Sequence, residues 1–423
     1  MSDPDLDLLL AVRGPDESRL ATALSAPGTG ARVVRRCADV EELVAVTSAG
    51  LGAAAVVSAD HPGLTRDAVA VLHDAGIRLL ALVEVGSEWQ RDRMLALGVD
   101  AVRSQDVAAD ELVRALREGG AAVPDEPLAP SGVPARPGRA GRIVAVWGPH
   151  GAPGRTTVAV NLATELAARS PLPGAPAPPD VLLVDADTTT SSLAQHLALL
   201  DDSSGIALAA RAAGLGRLDG LALAELAPLL DNHLRVLSGI GRPSRWPELT
   251  PAALDAVWAA ARDIVDLVVV DCAASIEEDE ALTYDTRAPQ RNGATLATLR
   301  AADVVVVVGG ADPVSLTRLV RALGDLDAVG ARGRRIVVVN RLRGTRGRAA
   351  DEVQQALARH AGLTDPVLLP EDAVVDQALF AGRTLAEVAP HTSVRRALAD
   401  LAGQVRALAT HGTGSDATSR VVH

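Results

Sequence analysis

The chain has 423 residues, which exceeds one ordinary domain core and predicts two or three domains. Its 48% hydrophobic and 22% charged residues are typical of a globular protein, and its two cysteines offer neither a disulfide framework nor a metal-ligand spacing, so we expect a cytoplasmic location. The net charge of −12 argues against a broad nucleic-acid surface. No apolar run approaches the roughly 20 residues that cross a bilayer, so direct membrane insertion is not expected.

The first 118 residues alternate short apolar strands with helical stretches, which predicts a flavodoxin-like parallel sheet. The strands are predicted at residues 6–12, 31–34, 53–58, 78–83 and 100–103.

The spacing of this first domain resembles that of response-regulator receiver domains, but the residues of the phosphorylation site differ. Ser58 stands where a receiver has its phosphoacceptor Asp, Arg13 and Gly14 replace the acidic pair, and Gln105 replaces the Lys. We therefore expect a degenerate, receiver-like domain over 1–118. Phosphorylation of the nearby Asp60 is the alternative.

Two further segments lack helical or strand periodicity. Residues 119–141 carry five prolines and predict an extended linker, and 170–180 has the same character but predicts a surface loop. Residues 410–423 predict a flexible tail without the apolar and basic faces of a membrane-binding helix.

Residues 142–409 predict a larger, doubly wound domain with a mainly parallel sheet. It contains five uninterrupted apolar runs, IVAVW, VLLV, LVVV, VVVVV and IVVV. Runs that do not alternate are typical of strands buried on both faces by helices. Each run ends in a small or polar residue, and doubly wound sheets bind their ligands at that end.

The first run leads into GPHGAPGRTT, residues 148–157, and then into a helix. A strand, a Gly-rich turn and a helix form the context of a phosphate-binding loop, in which backbone N–H groups face the phosphates. The literal G-x-x-x-x-G-K-[ST] pattern fails, because Pro149 and Arg155 replace its first Gly and its Lys. Taken alone, the segment is equally compatible with an ordinary Gly/Pro loop.

Acidic and amide side chains follow three of the later runs. Asp185 and Asp187 end the second run, Asp271 ends the third and Asn340 ends the fifth. One Asp after a strand is more often a helix cap than a ligand. Four such residues behind a phosphate-like loop favour a nucleotide site in which a carboxylate holds Mg²⁺.

These segments resemble those of one family. GPHGAPGRTTVAVNLA, VLLVDADTTTSS, DLVVVDCAAS and VVVNRLR are similar to the deviant Walker A motif, the switch regions and the adenine-reading strand of MinD/ParA-type (SIMIBI) P-loop ATPases. A degenerate receiver in front of such a domain, together with RVLSGIGRPSRWPEL, resembles the CpaE-like branch, which serves tight-adherence (Flp/Tad) pilus machinery.

The resemblance implies ATP or ADP and Mg²⁺ as ligands and a role for each loop residue. Gly151 and Gly154 would shape the loop, Arg155 would take the β/γ-phosphate position and Thr157 would bond the α-phosphate.

The resemblance also implies a metal site and a base site. The metal site would consist of Thr156, Asp185 and Asp271, and the base site of Asn340 and the loop at Pro370.

The catalytic residues implied by the resemblance are Asp187, which would orient the attacking water, Arg155 and His150. The family's signature Lys falls on His150 and its Walker Lys on Arg155. All 41 basic residues of this chain are Arg, so a chain-wide bias accounts for Arg155 but not for His150. Arg and Lys are not interchangeable at phosphate. We therefore expect nucleotide binding with weak or partner-dependent hydrolysis.

The resemblance implies a switch that dimerises with ATP and positions pilus or secretion machinery proteins. A scaffold that binds nucleotide without hydrolysing it is one alternative, and a septum-site or cell-division regulator is another. The acidic charge disfavours DNA partitioning.

Overall fold

The computed structural model describes residues 5–118, 141–168, 177–199, 203–278, 289–343 and 347–410. The predicted linker (apart from residue 141), residues 170–176 of the predicted loop and tail residues 411–423 lie outside the described residues. The chain divides into two compact units, residues 1–132 with 210–219, and residues 133–209 with 220–423.

The described part of the first unit contains a parallel sheet with the strand order β2-β1-β3-β4-β5. Its strands β1 to β5 are Leu6–Ala11, Ala31–Arg36, Ala54–Ser58, Arg78–Val83 and Ala101–Ser104. Its helices α1 to α5 are Pro15–Leu24, Val40–Ser48, Arg66–Asp74, Glu88–Leu97 and Ala109–Glu118. This is the flavodoxin-like order, and it confirms the predicted fold of this domain.

Both faces of this sheet are buried. In β1, Leu8 and Leu10 belong to one apolar cluster and Leu9 and Ala11 to another. Because successive side chains of a strand point to opposite faces, the two clusters lie on opposite sides of the sheet. The run LDLLLA therefore needs no alternation of polar and apolar residues.

The second unit contains a larger sheet with the order β13-β12-β11-β6-β10-β7-β9-β8 among its described residues. Strands β6 to β13 are Arg142–Trp147, Val181–Ala186, Leu229–Asp231, Leu234–Leu237, Leu267–Cys272, Val304–Gly310, Arg334–Leu342 and Val367–Pro370. Neighbours are parallel except for the β8–β9 pair.

Helices cover this sheet. Helices α6 to α16 are Arg155–Ala167, Leu193–His196, Gly205–Gly214, Gly220–Leu226, Pro251–Ile264, Gly293–Ala301, Pro313–Ala328, Arg348–Ala361, Val374–Ala381, Leu385–Val388 and Ser393–Thr410, and Pro243–Glu248 is a 3₁₀ helix. Residues 210–214, the second half of α8, belong to the first unit. Among the described helices, none has the length and apolarity that a membrane crossing requires.

The prediction of five buried, mainly parallel strands in the larger domain is confirmed, and three short strands were missed. Strands β8, β9 and β13 have only three or four residues each. All three residues of β8 are exposed, so it has no apolar run to reveal it. Strands of this length give no periodicity that separates them from a loop.

Packing of the core places the phosphate-type loop and the carboxyl ends of the central strands at one edge of the sheet. Helix α6 buries Val158, Leu162 and Leu166 in the same cluster as Leu401 and Val405 of α16. With α6 packed on the sheet in this way, the segment that joins β6 to α6 lies at the carboxyl edge. The side chains that end β7, β10 and β12 lie at that same edge.

Candidate nucleotide-binding site

The segment between β6 and α6 forms a tight loop. Gly151 has φ 83° and Gly154 has φ 78°, a left-handed backbone that strains any other L-residue. A Cβ at Gly154 would also lie only 2.6 Å from Nδ2 of Asn340. Helix α6 begins at the next residue, Arg155, so its unpaired N–H groups and positive dipole end face the loop.

Thr156, in the first turn of α6, contacts a carboxylate at the end of β10. Its hydroxyl donates a 2.6 Å hydrogen bond to Oδ2 of Asp271. Oδ1 of Asp271 is buried and has no hydrogen-bond partner within the described residues. Burial, followed by the negative charge of Asp185, raises the pKa of Asp271 well above its usual range. A buried oxygen without a donor is unfavourable, so this geometry suits a cation or a bound water.

Asp185 lies beside Asp271, because β7 and β10 pair in parallel with these two residues in register. Its carboxylate accepts hydrogen bonds from the Asp187 amide, the Ser191 hydroxyl and the Ser192 and Leu193 amides at 2.8–3.1 Å. Burial raises the pKa of Asp185 to about 6. The side chain that the sequence predicted as a metal ligand thus also holds the loop between β7 and α7.

Asp187 and Arg155 form a partly buried ion pair beside the loop. Nη2 of Arg155 lies 3.5 Å from Oδ2 of Asp187, and these side chains are 15% and 3% exposed. Burial acts to raise the pKa of Asp187, but hydrogen bonds from the hydroxyls and amides of Thr189 and Thr190 outweigh it and lower this pKa. Asp187 is therefore held in its charged form.

The guanidinium of Arg155 still has an N–H group available for a further hydrogen bond. Nη1 donates to the Gly148 carbonyl at 3.3 Å, while Nε is buried and has no partner among the described residues. Because an arginine fork can donate to two oxygens of one phosphate, this unpaired N–H fits an anion seated in the loop.

The donor set fits Mg²⁺ bound together with nucleotide better than Mg²⁺ alone. In the described part of the chain, no group of three or more His, Cys, Asp or Glu side chains could hold a metal ion. Mg²⁺ usually keeps several waters and binds through one or two protein oxygens plus substrate phosphates. Thr156 and Asp271 offer such a partial set.

Residues predicted for the phosphate loop and for the base line one cavity. Gly154, Thr157, Asn340 and Pro370 all line a cavity of about 320 Å³. This volume lies within the roughly 300–1,000 Å³ of small-molecule sites. The loop at Pro370, where β13 ends, thus lines the same cavity as Gly154 of the phosphate loop.

Asn340 has a function that its sequence position did not reveal. Its Nδ2 donates to the Pro153 carbonyl at 2.9 Å, and its Oδ1 accepts from the Arg341 amide at 2.9 Å. The amide therefore braces the phosphate loop from β12. Its predicted contact with adenine stays a prediction.

A larger cavity, of about 1160 Å³, lies between α12 and α13. It shares Gly151 and Pro153 with the loop but is not lined by Arg155, Thr156 or the aspartates Asp185, Asp187 and Asp271. We place the candidate site by those charged groups rather than by cavity size, since phosphate and metal recognition depends on them.

His150, by contrast, is exposed at the tip of the loop. Its carbonyl accepts a 3.4 Å hydrogen bond from Nη1 of Arg318 on α12. The structure thus brings a second arginine to the loop, one that the sequence analysis did not single out.

Sequence reasoning also missed residues that support the carboxylates. Thr189, Thr190 and Ser191 all bond Asp185 or Asp187, and the hydroxyl-rich run DTTTSS is the signal that could have revealed them. Gly239, after β9, lies so close to Asp185 that a Cβ would be 2.6 Å from its Cγ. Only the folded chain reveals that approach.

In the first unit, Arg13 contacts Ser58 and the nearby Asp60. The Arg13 amide donates to the Ser58 hydroxyl at 2.9 Å, and the Arg13 guanidinium lies 3.4 Å from the Asp60 carboxylate. The Gln105 carbonyl accepts from Arg19. An arginine thus occupies the edge where a receiver would collect acids around Mg²⁺.

No protein-family model matches the chain, and neither does any curated protein sequence. Solved structures do match. A ParA family ATPase from Chlorobium tepidum TLS is 20% identical, with 63% of this chain and 99% of that chain covered and a TM-score of 0.50. The Cyanothece McdA(D38A)–ATP complex is 17% identical, with 66% and 100% covered and a TM-score of 0.48. The cell division ATPase MinD of Pyrococcus furiosus is 21% identical, with 63% and 99% covered and a TM-score of 0.47.

At such sequence identities the similarity concerns the fold alone. Our conclusion about the fold uses the Chlorobium structure. That protein is covered almost completely by about two thirds of this chain. The larger unit therefore has the doubly wound fold of a ParA-family P-loop ATPase.

Proposed function

We propose that this chain is a cytoplasmic, ATP-binding switch or localisation protein of the MinD/ParA type, in its CpaE-like branch, acting on pilus-assembly or secretion machinery. The observation that carries the nucleotide site is the 2.6 Å hydrogen bond from Thr156 to Asp271, whose other carboxylate oxygen is buried without a hydrogen-bond partner among the described residues. It joins the helix after a phosphate-type loop to a strand-end acid, as Mg²⁺–nucleotide binding requires.

Each candidate residue has a proposed task at this site. The loop amides around Gly151 and Gly154 bind phosphate, Thr157 bonds the α-phosphate, and Arg155 supplies charge at the β- and γ-phosphates. Bound Mg²⁺ would neutralise charge on the phosphates. Thr156, Asp185 and Asp271 are the residues that would hold it.

We propose that hydrolysis is slow or depends on a partner. Asp187 is charged and buried, which suits orientation of a water molecule. Because it pairs with Arg155, however, its carboxylate competes with phosphate for the guanidinium. Transition-state stabilisation needs charge placed where the transferring phosphoryl group develops it. His150, where the resembling family has its signature Lys, is exposed and carries an imidazole in place of the longer ammonium side chain. These features also support the alternative of a scaffold that does not hydrolyse ATP.

The assignment to pilus or secretion machinery is supported by the sequence resemblance and by the flavodoxin-like unit in front of the P-loop unit. The Arg13–Asp60 pair supports a receiver-like domain that does not take phosphate. Recruitment of partners is the task that we propose for it instead. A nucleotide-dependent homodimer is the oligomeric form that we propose, again from the resemblance.

The test is a titration of the purified full-length protein with Mg²⁺–ATP and Mg²⁺–ADP, with turnover measured on the same sample. We expect binding of both nucleotides with slow turnover. The double variant His150→Lys with Arg155→Lys should raise turnover if the protein is a switch. Unchanged inactivity with intact binding favours the scaffold, and a wild type that binds neither nucleotide refutes the proposed site.

A further inference from the structure

Helix α12 begins against the phosphate loop. Asp312 caps it, with Oδ1 accepting from the amides of Val314 and Ser315 at 3.0 Å. Just before it, Gly310 lies so near the loop that a Cβ there would be 3.2 Å from Cδ of Pro153. The first turns of α12 are therefore fixed beside the loop.

Arg318 reaches back from the second turn of α12 to the loop. Its Nη1 donates to the His150 carbonyl at 3.4 Å, and a Cβ at Gly151 would collide with the same nitrogen. The missing side chain at Gly151 thus makes room for the guanidinium. Arg318 is exposed, and no carboxylate pairs with it in the part of the chain that the structure describes.

The loop has two distinguishable ends. Gly154 and Thr157 line the cavity together with Asn340 and Pro370, so on the proposed function this end faces the base. His150 and Gly151 form the other end, which on the proposed function lies nearest the terminal phosphate. Arg318 is therefore, within the described residues, a cation without a carboxylate partner at the end of the loop assigned to the terminal phosphate.

Arginine suits this position chemically. A guanidinium has five N–H donors in a fork that matches phosphate oxygens, and its charge persists at all physiological pH values. Its bond to the His150 carbonyl is long for an N–H···O bond. Exchanging that neutral acceptor for a phosphate oxygen gains a charge-assisted bond.

We infer that Arg318 binds the terminal phosphate of a nucleoside triphosphate and so makes the site prefer triphosphate over diphosphate. The guanidinium turns from the His150 carbonyl onto a γ-phosphate oxygen, and α12 carries the arginine on a rigid element. This inference rests on the proposed function and names the residue that distinguishes ATP from ADP at that site.

The experiment compares dissociation constants of the full-length protein for Mg²⁺–AMPPNP and Mg²⁺–ADP. Arg318→Ala should weaken AMPPNP binding by about 10-fold, the size of one hydrogen bond to a charged group, and leave ADP binding within about twofold. Arg318→Lys should fall between, because it keeps the charge without the fork. The matched control is Arg332→Ala, an exposed arginine in the turn between α12 and β12, at the opposite edge of the sheet.

The inference is overturned if Arg318→Ala leaves the ratio of the two constants unchanged, whether neither nucleotide or both are weakened. A wild type that binds neither AMPPNP nor ADP overturns the proposed function together with this inference. Because Arg318 is exposed, unchanged thermal unfolding of the variant separates a lost contact from a lost fold.

Discussion

The hydroxyl of Thr156 donates a 2.6 Å hydrogen bond to Oδ2 of Asp271, joining the first turn of α6 to the end of β10. The two residues are 115 positions apart in the chain, so only the parallel pairing of β6 with β10 brings them together. The pair defines where a cation would have to lie to meet both the loop and the strand-end acids.

Removing the Thr156 hydroxyl should remove most of the magnesium dependence of nucleotide binding. We expect Thr156→Ala to weaken Mg²⁺–ATP by about 10- to 100-fold, typical of a lost metal-site partner, and to leave binding in EDTA unchanged. Isothermal titration with Mg²⁺ and with EDTA measures both. The matched control is Thr164→Ala on the same helix, whose hydroxyl donates to the Val160 carbonyl at 2.9 Å. Equal losses with and without Mg²⁺ would contradict this assignment.

Substitutions at Arg155 and at Asp187 should affect nucleotide binding and ATP hydrolysis differently. Because the guanidinium supplies charge to phosphate, Arg155→Ala should weaken Mg²⁺–ATP binding by about 10-fold or more. Asp187→Ala removes the carboxylate that competes with phosphate for Arg155, so binding should persist while any hydrolysis disappears. Nucleotide titration and phosphate release on the same samples check both. Wild-type turnover in Asp187→Ala would show that another group orients the water.

Asn340 should act on every phosphate ligand, since its amide braces the Pro153 carbonyl. Losing that bond frees the loop, so we expect Asn340→Ala to weaken ATP and inorganic tripolyphosphate alike, by about 10-fold. Competition titrations against a fluorescent nucleotide give both constants, with Asn232→Ala in the exposed β8–β9 turn as the control. If tripolyphosphate binds as in wild type while ATP is weakened, Asn340 serves the base alone.

The sequence was sufficient to predict features that depend on repeated local patterns. Uninterrupted apolar runs predicted the central strands. The polar residues that end these runs were predicted to lie together at one edge of the sheet, because parallel strands place their carboxyl ends together. The Asp185–Asp271 register follows from that geometry.

Features that depend on contacts between distant segments were not predictable. The bracing of Pro153 by Asn340 joins residues 187 positions apart, and the reach of Arg318 to His150 spans 168 positions. Neither contact has a local pattern in the chain, since an Asn after a strand or an exposed Arg on a helix is ordinary. The support of Asp185 by Ser191 depends equally on how the loop folds back.

Both cysteines should react slowly with thiol reagents in the folded protein. Burial, followed by the charge of Glu42, raises the pKa of Cys37 to about 11, and burial raises the pKa of Cys272 well above its usual range. At pH 8 roughly one Cys37 thiol in 1,000 is then ionised. A chromogenic disulfide reagent should label neither until denaturant is added.

The raised pKa of Cys37 also predicts how the stability of the protein changes with pH. The folded state holds the Cys37 proton more tightly than the unfolded state, so the free energy of unfolding should fall as pH rises from about 9 to 11 and show no contribution from this thiol below pH 9. Denaturant titrations of wild type and Cys37→Ala across this range measure it. An equally steep decline in the variant would assign the effect to other groups.

The first unit should not accept a phosphoryl group. A receiver needs a carboxylate acceptor beside Mg²⁺ held by neighbouring acids, whereas here Ser58 bonds the Arg13 amide and the Arg13 guanidinium lies 3.4 Å from Asp60. A cation at this edge opposes Mg²⁺ binding, and Asp60 is engaged by it. Full-length protein incubated with acetyl phosphate and Mg²⁺ should therefore show no mass increase of roughly 80 Da, the size of one phosphoryl group. An intact receiver domain treated in parallel is the positive control. A stoichiometric adduct that disappears in Asp60→Asn would show that this aspartate, two residues after the usual position, has become the acceptor.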